Sequence, residues 1–214
     1  MVQRPENAGR DAGEIVGLKE TGIKATNSVD EVLAQKPDCL AYFGDGVGQA
    51  EQSIENVVRF LEAGIDVVTT SFASLVHPMF APDEQRVPIE AACSKGGTSF
   101  FATGIEPGLA SDHLPMALLT GIERVDSLRV SEISTYAFYP VEHVQRVVFG
   151  FGEPLSYVPP LTQGNRITQT WGPVVHGLAH AVGVKLDGLR EWFEYATTSV
   201  DLETAFGTVR PVPS

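Results

Sequence analysis

Positive charge is scarce in this chain. Its 15 Lys and Arg face 27 Asp and Glu, a formal net charge of −12. Phosphate neutralisation needs clustered basic side chains, so nucleic-acid binding is not expected. The same balance disfavours anionic membrane surfaces. Cysteine is also sparse, with only Cys39 and Cys93. One falls in an apolar strand-like run and the other in a helix-like one. This usage suits a reducing cytoplasm, with both thiols as core filler. Long apolar runs are missing, and none approaches the roughly 18 residues a spanning helix needs. The polar opening "MVQRPENAGRDAGE" shows no signal peptide. The expectation is a cytoplasmic protein.

What is present is an ordinary globular composition, 43% apolar and 20% charged over 214 residues. That length buries a sizeable core as one domain, or as a large domain plus a small one. Ala8 to Gly17 reads as a short helix and "GIKATNS" as a short strand. "SVDEVLAQ" reads as a helix, with Ser28 as N-cap and Glu31 completing a capping box. "DCLAYF", "IDVVTTS" and "TSFFATG" read as buried strands. Between them lie an amphipathic helix over Glu51 to Ala63, closed by Gly64, and a second helix, "VPIEAACSKGG". "EPGLASDHLPMALLTG" reads as a helix with Pro107 in its first turn and a kink at Pro115. Strands alternating with helices predict a doubly wound parallel sheet.

After Gly121 the rhythm changes. "SLRVSEISTYAFY" alternates apolar and polar residues, as a strand with one wet face does. A short helix and glycine turn follow in "VEHVQRVVFGFGEP", then a helix over Thr170 to Val182. "EWFEYATTSVDL" and "ETAFGTVRPVPS" read as strands of a mainly antiparallel sheet. The expected division is 1–121 as a partial dinucleotide-binding domain and 122–214 as a partial substrate-binding and dimerisation domain.

The stretch "AYFGDGVGQAEQ", Ala41 to Gln52, nearly spells the dinucleotide fingerprint G-x-G-x-x-G. The third glycine should be residue 49, which is Gln, and Gly48 comes one position early. The acidic companion is also displaced. Asp66 opens the next strand instead of closing it, which puts it on the wrong side of the sheet. The turn reads as a flexible strand-to-helix connection. It occupies a carboxyl strand end, so Gly44 and Asp45 remain candidates to touch a cofactor. "HGLAH" places His176 and His180 at the i, i+4 spacing of two zinc ligands, but residue 177 is Gly and no third ligand is evident. Structural histidines compete with a zinc hydrolase there, and no metal is expected.

In their order and spacing, "NAGRDAGEIVGL", "TGIKATNSVDEVLAQKPDCLAYF", "EAGIDVVTTS", "ATGIEPGLASDHLP" and "YAFYPVEHVQRVVFGFGEP" resemble the dihydrodipicolinate-reductase-like dehydrogenases. The branch they resemble contains 2,4-diaminopentanoate dehydrogenase and the bacterial amine dehydrogenases. The resemblance implies an α/β fold: an incomplete Rossmann-like parallel sheet, then an α+β domain with a mainly antiparallel sheet. It implies an NAD(P)-dependent oxidoreductase that moves a hydride to or from an amine or imine carbon. It also implies a fragment, without the family's phosphate-binding loop at one end and without its remaining length at the other. In the strand order 3-2-1-4-5-6, "DCLAYF" is then predicted to be an open sheet edge.

The resemblance also assigns candidate residues. Thr69, Thr70 and Ser71 end a strand that faces nicotinamide and ribose, where capping of the turn is the competing role. Gly104 allows close backbone approach nearby. Glu106 and Asp112 are candidate acids near the substrate amine, against simple helix capping. Tyr136 and His143 lie on the substrate side as candidate proton donors. Arg10, with Arg4, is placed to meet a 2′-phosphate, against a plain surface role, so the cofactor is NAD or NADP. The paired histidines and lysine of dihydrodipicolinate reductases proper are missing, which favours the amine dehydrogenase branch. The implied partner is a small amine or ketone, with homo-oligomers at full length. The alternative is a non-catalytic fragment or dimerisation module with impaired cofactor binding.

Overall fold

The computed structural model describes residues 1–2, 4–46 and 49–211. Two compact units divide between Gly104 and Ile105, so the change of rhythm at Gly121 falls inside the second. No helix among the described residues is long and apolar enough to cross a membrane.

The first unit is built on a parallel sheet of β1 (Cys39–Tyr42), β2 (Asp66–Thr69) and β3 (Phe100–Ala102), in the order β1-β2-β3. β1 has β2 on one side and no strand on the other among the described residues. "GIKATNS" does not join the sheet. It pairs with the first residues of the chain, through bonds such as Ala12 N–H to Ile23 O at 2.8 Å and Ala25 N–H to Arg10 O at 2.9 Å. The helix expected over Ala8 to Gly17 shrinks to α1 (Ala12–Ile15). Gly9 turns the chain at φ +81, and Asp11 caps α1 in extended conformation. The Asp11 carboxylate also accepts from the N–H groups of Thr21 and Gly22, at 2.9 and 2.8 Å. It thereby ties α1 to the turn at 19–22.

α2 (Val29–Ala34) starts where the capping pattern predicts, with the Ser28 hydroxyl accepting from Glu31 N–H at 3.2 Å. α3 (Ala50–Glu62) buries Ser53, Val57, Phe60 and Leu61, the i, i+4, i+7, i+8 stripe of a core-facing helix. It ends in a Schellman motif. Gly64, at φ +86, donates to Leu61 O, and Ile65 donates to Phe60 O, both at 3.1 Å. α4 (Asp83–Gly96) ends at Gly97, φ +66. Gly96 is required for the helix crossing, because a Cβ there would lie 1.9 Å from Leu61 O. Around it the amino ends of β2 and β3 are laced together. Thr98 Oγ1 donates to Leu61 O at 3.1 Å, Ser99 N–H donates to Asp66 Oδ1 at 2.7 Å, and Lys95 pairs with Glu62 at 2.8 Å.

The apolar runs predict strands buried on both faces, and the register corrects this. Leu40, Val67 and Phe100 form one cross-strand row, and Tyr42, Thr69 and Ala102 the next. Both rows face the core made with Val57, Phe60, Leu61, Leu75, Ile89 and Ala92. The alternate row, Ala41, Val68 and Phe101, lies on the other face, with Val68 41% and Phe101 49% exposed. Cys39 shares that outward parity and is exposed, and Cys93 is half-buried, so Cys39 is not core filler.

In the second unit a π-helical turn spans Leu109–His113 and continues into α5 (Leu114–Leu119). Pro107 lies outside the helix, because Gly108 breaks it at φ +139, a conformation glycine adopts without strain. Pro115 sits in the first turn of α5, directly after the π turn. A second π turn spans His143–Val148, and α6 runs over Arg166–Ala181. β4 (Leu202–Thr204) and β5 (Gly207–Val209) form an antiparallel hairpin. The segments 127–139 and 191–202, expected as strands, form no ladder before Leu202 among the described residues, and 137–138 form a turn. Alternation alone does not make a strand; each needs a partner, and Ala137 O receives only Ala205 N–H, at 2.7 Å. Their apolar positions stay open, with Ile133 95% exposed. The fold class is α/β: a three-stranded parallel Rossmann-like sheet, followed by a helical unit with a small antiparallel sheet.

Candidate functional site

The carboxyl ends of three parallel strands collect most of the first unit's candidate residues. Gly44 and Asp45 follow β1, Thr69 ends β2 with Thr70 and Ser71 behind it, and Gly104 follows β3. Two of the three hydroxyls are committed to the fold. Thr69 Oγ1 is buried and accepts from Ser71 N–H at 2.9 Å, and Ser71 Oγ donates to Gly44 O at 2.7 Å. Thr70 is exposed, and its hydroxyl makes no protein hydrogen bond among the described residues. Ser53 Oγ donates to Asp45 O at 2.8 Å, so the turn after β1 is held from two sides. Gly46 is needed because a Cβ there would lie 1.7 Å from Ser71 O. The close approach that this glycine permits is taken by the protein's own backbone. Val47 and Gly48, the other members of the near-fingerprint, lie outside the described residues.

Arg10 is not brought to this edge through any bond the structure records. Its guanidinium serves Asn7 Oδ1 at 2.9 Å and Glu14 Oε1 at 3.3 Å, a local surface arrangement.

In the second unit a cavity of about 610 Å³ opens along α6. Trp171, Val174, Val175, Leu178, Ala179 and Val182 line it at helical spacing, a stripe about 16 Å long at 1.5 Å per residue. The segment Val125–Val130 and the residues Val184 and Leu186 add further walls. Polar groups on the lining include Glu106, Ser111, Asp126, Arg129 and Glu132. Burial pushes the Glu106 carboxyl above the usual carboxylate range. The polar groups of Ser111 and Trp171 act against that rise, and the charges of Glu132 and Asp112 add to it. Burial also raises the Tyr136 phenol, helped by the charges of Glu132 and Glu106.

The structure therefore brings Glu106 and Tyr136 into one electrostatic neighbourhood, with Glu132 as an unforeseen third member. Asp112 is fully buried, and its Oδ1 accepts from His113 N–H at 2.6 Å. His143 is exposed at the start of its π turn and does not line the cavity. His176 and His180 lie on α6, but among the described residues no group of three His, Cys, Asp or Glu could hold a metal. Sequence reasoning misses Trp171. Its signal is position: it opens the apolar stripe of α6 three residues before Val174. Arg129 and Glu132 carry no signal, since they sit on a segment that reads as an ordinary half-wet strand.

No model of a known protein family matches the chain. It is 35% identical over 193 residues to a protein of Streptomyces virginiae named amine dehydrogenase. That match covers 89% of this chain and 53% of the relative, so the chain spans about half the relative's length. The solved structure of an amine dehydrogenase from Mycobacterium smegmatis superposes with a TM-score of 0.70 at 20% identity, covering 98% of this chain and 62% of that one. The chain is thus similar in sequence to one amine dehydrogenase and shares its fold with another.

Proposed function

We propose that this chain carries acid–base and cofactor-facing groups of an NAD(P)-dependent oxidoreductase acting at an amine or imine carbon. The observation that carries this reading is Glu106. It is a carboxyl with a raised pKa, on a largely apolar cavity that Trp171 and Ser111 also line. Such a group holds an ammonium in its ionised form and carries a proton in its neutral form, which are the two tasks at an amine nitrogen. The match to a protein named amine dehydrogenase supports the same reaction class.

The residues at the carboxyl edge of the parallel sheet fit one end of a dinucleotide. Thr70 offers a free hydroxyl to a ribose or carboxamide, whereas the Cβ face of Gly44 is filled by the Tyr42 ring. Gly46 fits no phosphate, because its close face is filled by Ser71 O. A nicotinamide, when bound, supplies the hydride acceptor. The other tasks belong to the chain. Glu106 takes the proton that leaves nitrogen as the amine carbon loses its hydride and becomes an imine. The walls of α6 exclude water from that carbon, and Tyr136, beside Glu132, supplies a second proton-bearing group. In the reverse direction Glu106 returns the proton to nitrogen.

The test is an assay of the protein with primary amines and NAD or NADP, followed by the absorbance of the reduced nicotinamide. Turnover is expected, and Glu106→Gln is expected to lower kcat by about 100-fold or more, the usual scale of a lost acid–base group. No turnover with any amine or cofactor overturns the reading.

A further inference from the structure

The open edge of the parallel sheet, outside β1, carries no charged side chain from Cys39 to Gly44, in a chain of net charge −12. Asp66 N–H donates to Asp38 O at 3.3 Å, which sets the parity of the ladder. Asp38, Leu40 and Tyr42 turn their peptide groups toward β2. Alternate residues of a strand face the other way. The N–H and C=O groups of Cys39, Ala41 and Phe43 therefore point to the open edge, where no described strand meets them. Natural edges are blunted by Lys, by Pro or by a bulge. None of these interrupts Cys39–Phe43, and its three outward residues are exposed. A groove of about 400 Å³ follows β1 from Leu40 to Gly44. Its walls, among them Val2, Asn27, Val29, Gln49, Gln52 and Asn56, also present no charged side chain.

We infer that this edge pairs with the same edge of a second copy, β1 running antiparallel to β1 across a two-fold axis at Ala41. The register follows from the parity. With the axis there, Ala41 lies opposite the partner's Ala41, and Cys39 lies opposite the partner's Phe43. Each such pair exchanges both of its N–H···O bonds, so every outward peptide group of the three residues is used. Moving the axis to Leu40 sets Phe43 against the partner's Pro37, which has no N–H. Moving it to Tyr42 sets Cys39 against the partner's Asp45. Charge selects the same occupant. Two acidic copies approach with least repulsion where neither presents a carboxylate. The axis at Ala41 sets Asp38 opposite the partner's Gly44 and Asp45 opposite the partner's Pro37, so no two carboxylates face each other. On the core side, Leu40 comes to lie beside the partner's Tyr42, an apolar cross-strand pair. This interface belongs to the first unit, outside the 122–214 region that the sequence assigns to dimerisation, and it does not depend on the proposed function.

The experiment is sedimentation equilibrium of the whole chain from about 1 to about 100 μM, a range that resolves micromolar dissociation constants. A reversible monomer–dimer equilibrium is expected. Ala41→Pro removes an N–H that the sheet of its own chain does not use, at an edge position where proline is tolerated. It should raise the dissociation constant about tenfold or more, the scale of a lost pair of hydrogen bonds. Circular dichroism and the melting temperature of the dilute protein should stay unchanged. Ala41→Lys sets like charges opposite each other at the axis and should weaken the dimer as much. That variant decides the outcome if the proline variant misfolds. A wild type that stays monomeric over the whole range overturns the pairing and leaves the edge to a strand of another protein. A dimer that both folded variants leave intact overturns it as well, because its interface then lies elsewhere.

Discussion

Ser71 donates its hydroxyl proton to the carbonyl oxygen of Gly44 across 2.7 Å, tying the end of β2 to the turn after β1. The same turn presses Gly46 against the carbonyl of Ser71. Ser71→Ala is expected to lower stability by about 1 kcal/mol, the net worth of such a bond. Gly46→Ala is expected to cost about 1–3 kcal/mol through overpacking. Urea denaturation of both variants checks this, and an unchanged midpoint for Gly46→Ala would show that the turn yields freely.

Thr70 is the counterpart to these committed groups. Thr70→Ala is expected to leave the denaturation midpoint unchanged and to weaken NAD(P) binding about fivefold, one lost hydrogen bond. Thr69→Val removes the buried acceptor of Ser71 N–H and should lower stability. Reversed behaviour of the two variants would remove Thr70 from the cofactor side.

Asp11 is held by hydrogen bonds, first from Thr21 N–H, and its pKa falls from 3.8 to about 2. A depressed folded-state value means that its contribution is complete above the unfolded value and is lost as pH drops through the folded one. Wild-type melting temperature should therefore lose this contribution between roughly pH 4 and pH 2. Asp11→Asn turns one acceptor oxygen into a donor facing backbone N–H groups. It should melt below wild type at neutral pH, with the gap closing in acid. A gap that persists at the lowest pH would show that the carboxylate charge is not what holds this turn.

Glu106 has the opposite sign. Its folded-state pKa is raised by burial, so the folded chain holds its proton more tightly than the unfolded one. Stability falls as pH rises through the carboxylate range toward that raised value, and the loss is complete above it. Glu106→Gln should remove this loss and melt above wild type at neutral pH while losing turnover. Opposite effects on stability and activity mark a strained functional group, and parallel losses would mark a structural one.

Phe60 lies fully buried on α3 among the core residues. Phe60→Ala is expected to cost about 3–5 kcal/mol. A loss under about 1 kcal/mol would show that the core of the first unit collapses around the deletion.

Much of this fold is legible where local chemistry is complete. The Ser28 cap, the Gly64 terminus and the three parallel strands all follow from residues close in sequence. What fails depends on partners. Val67 and Val68 look alike in sequence, yet register sends one into the core and leaves the other open. Cys39 follows the same parity outward. Residues 127–139 carry a strand pattern but no neighbouring strand to pair with. At the site, Glu106 is legible from its place after the third strand. Trp171 and Arg129 are not, because only folding brings α6 and the 125–130 segment to one cavity.

The lacing of β2 to β3 at their amino ends has a dynamic consequence. Gly96 against Leu61, Thr98 on Leu61 O, Asp66 on Ser99 and Glu62 on Lys95 all act at one end of the sheet. At the other end the turn after β1 is held by single hydroxyl bonds from Ser53 and Ser71. The sheet therefore has a stiff end and a compliant end, and fluctuations concentrate where the loops are. Amide protons near Val67 and Phe100 should exchange last, and those near Gly44 and Ser71 first. The loops can breathe without disturbing the core that positions them.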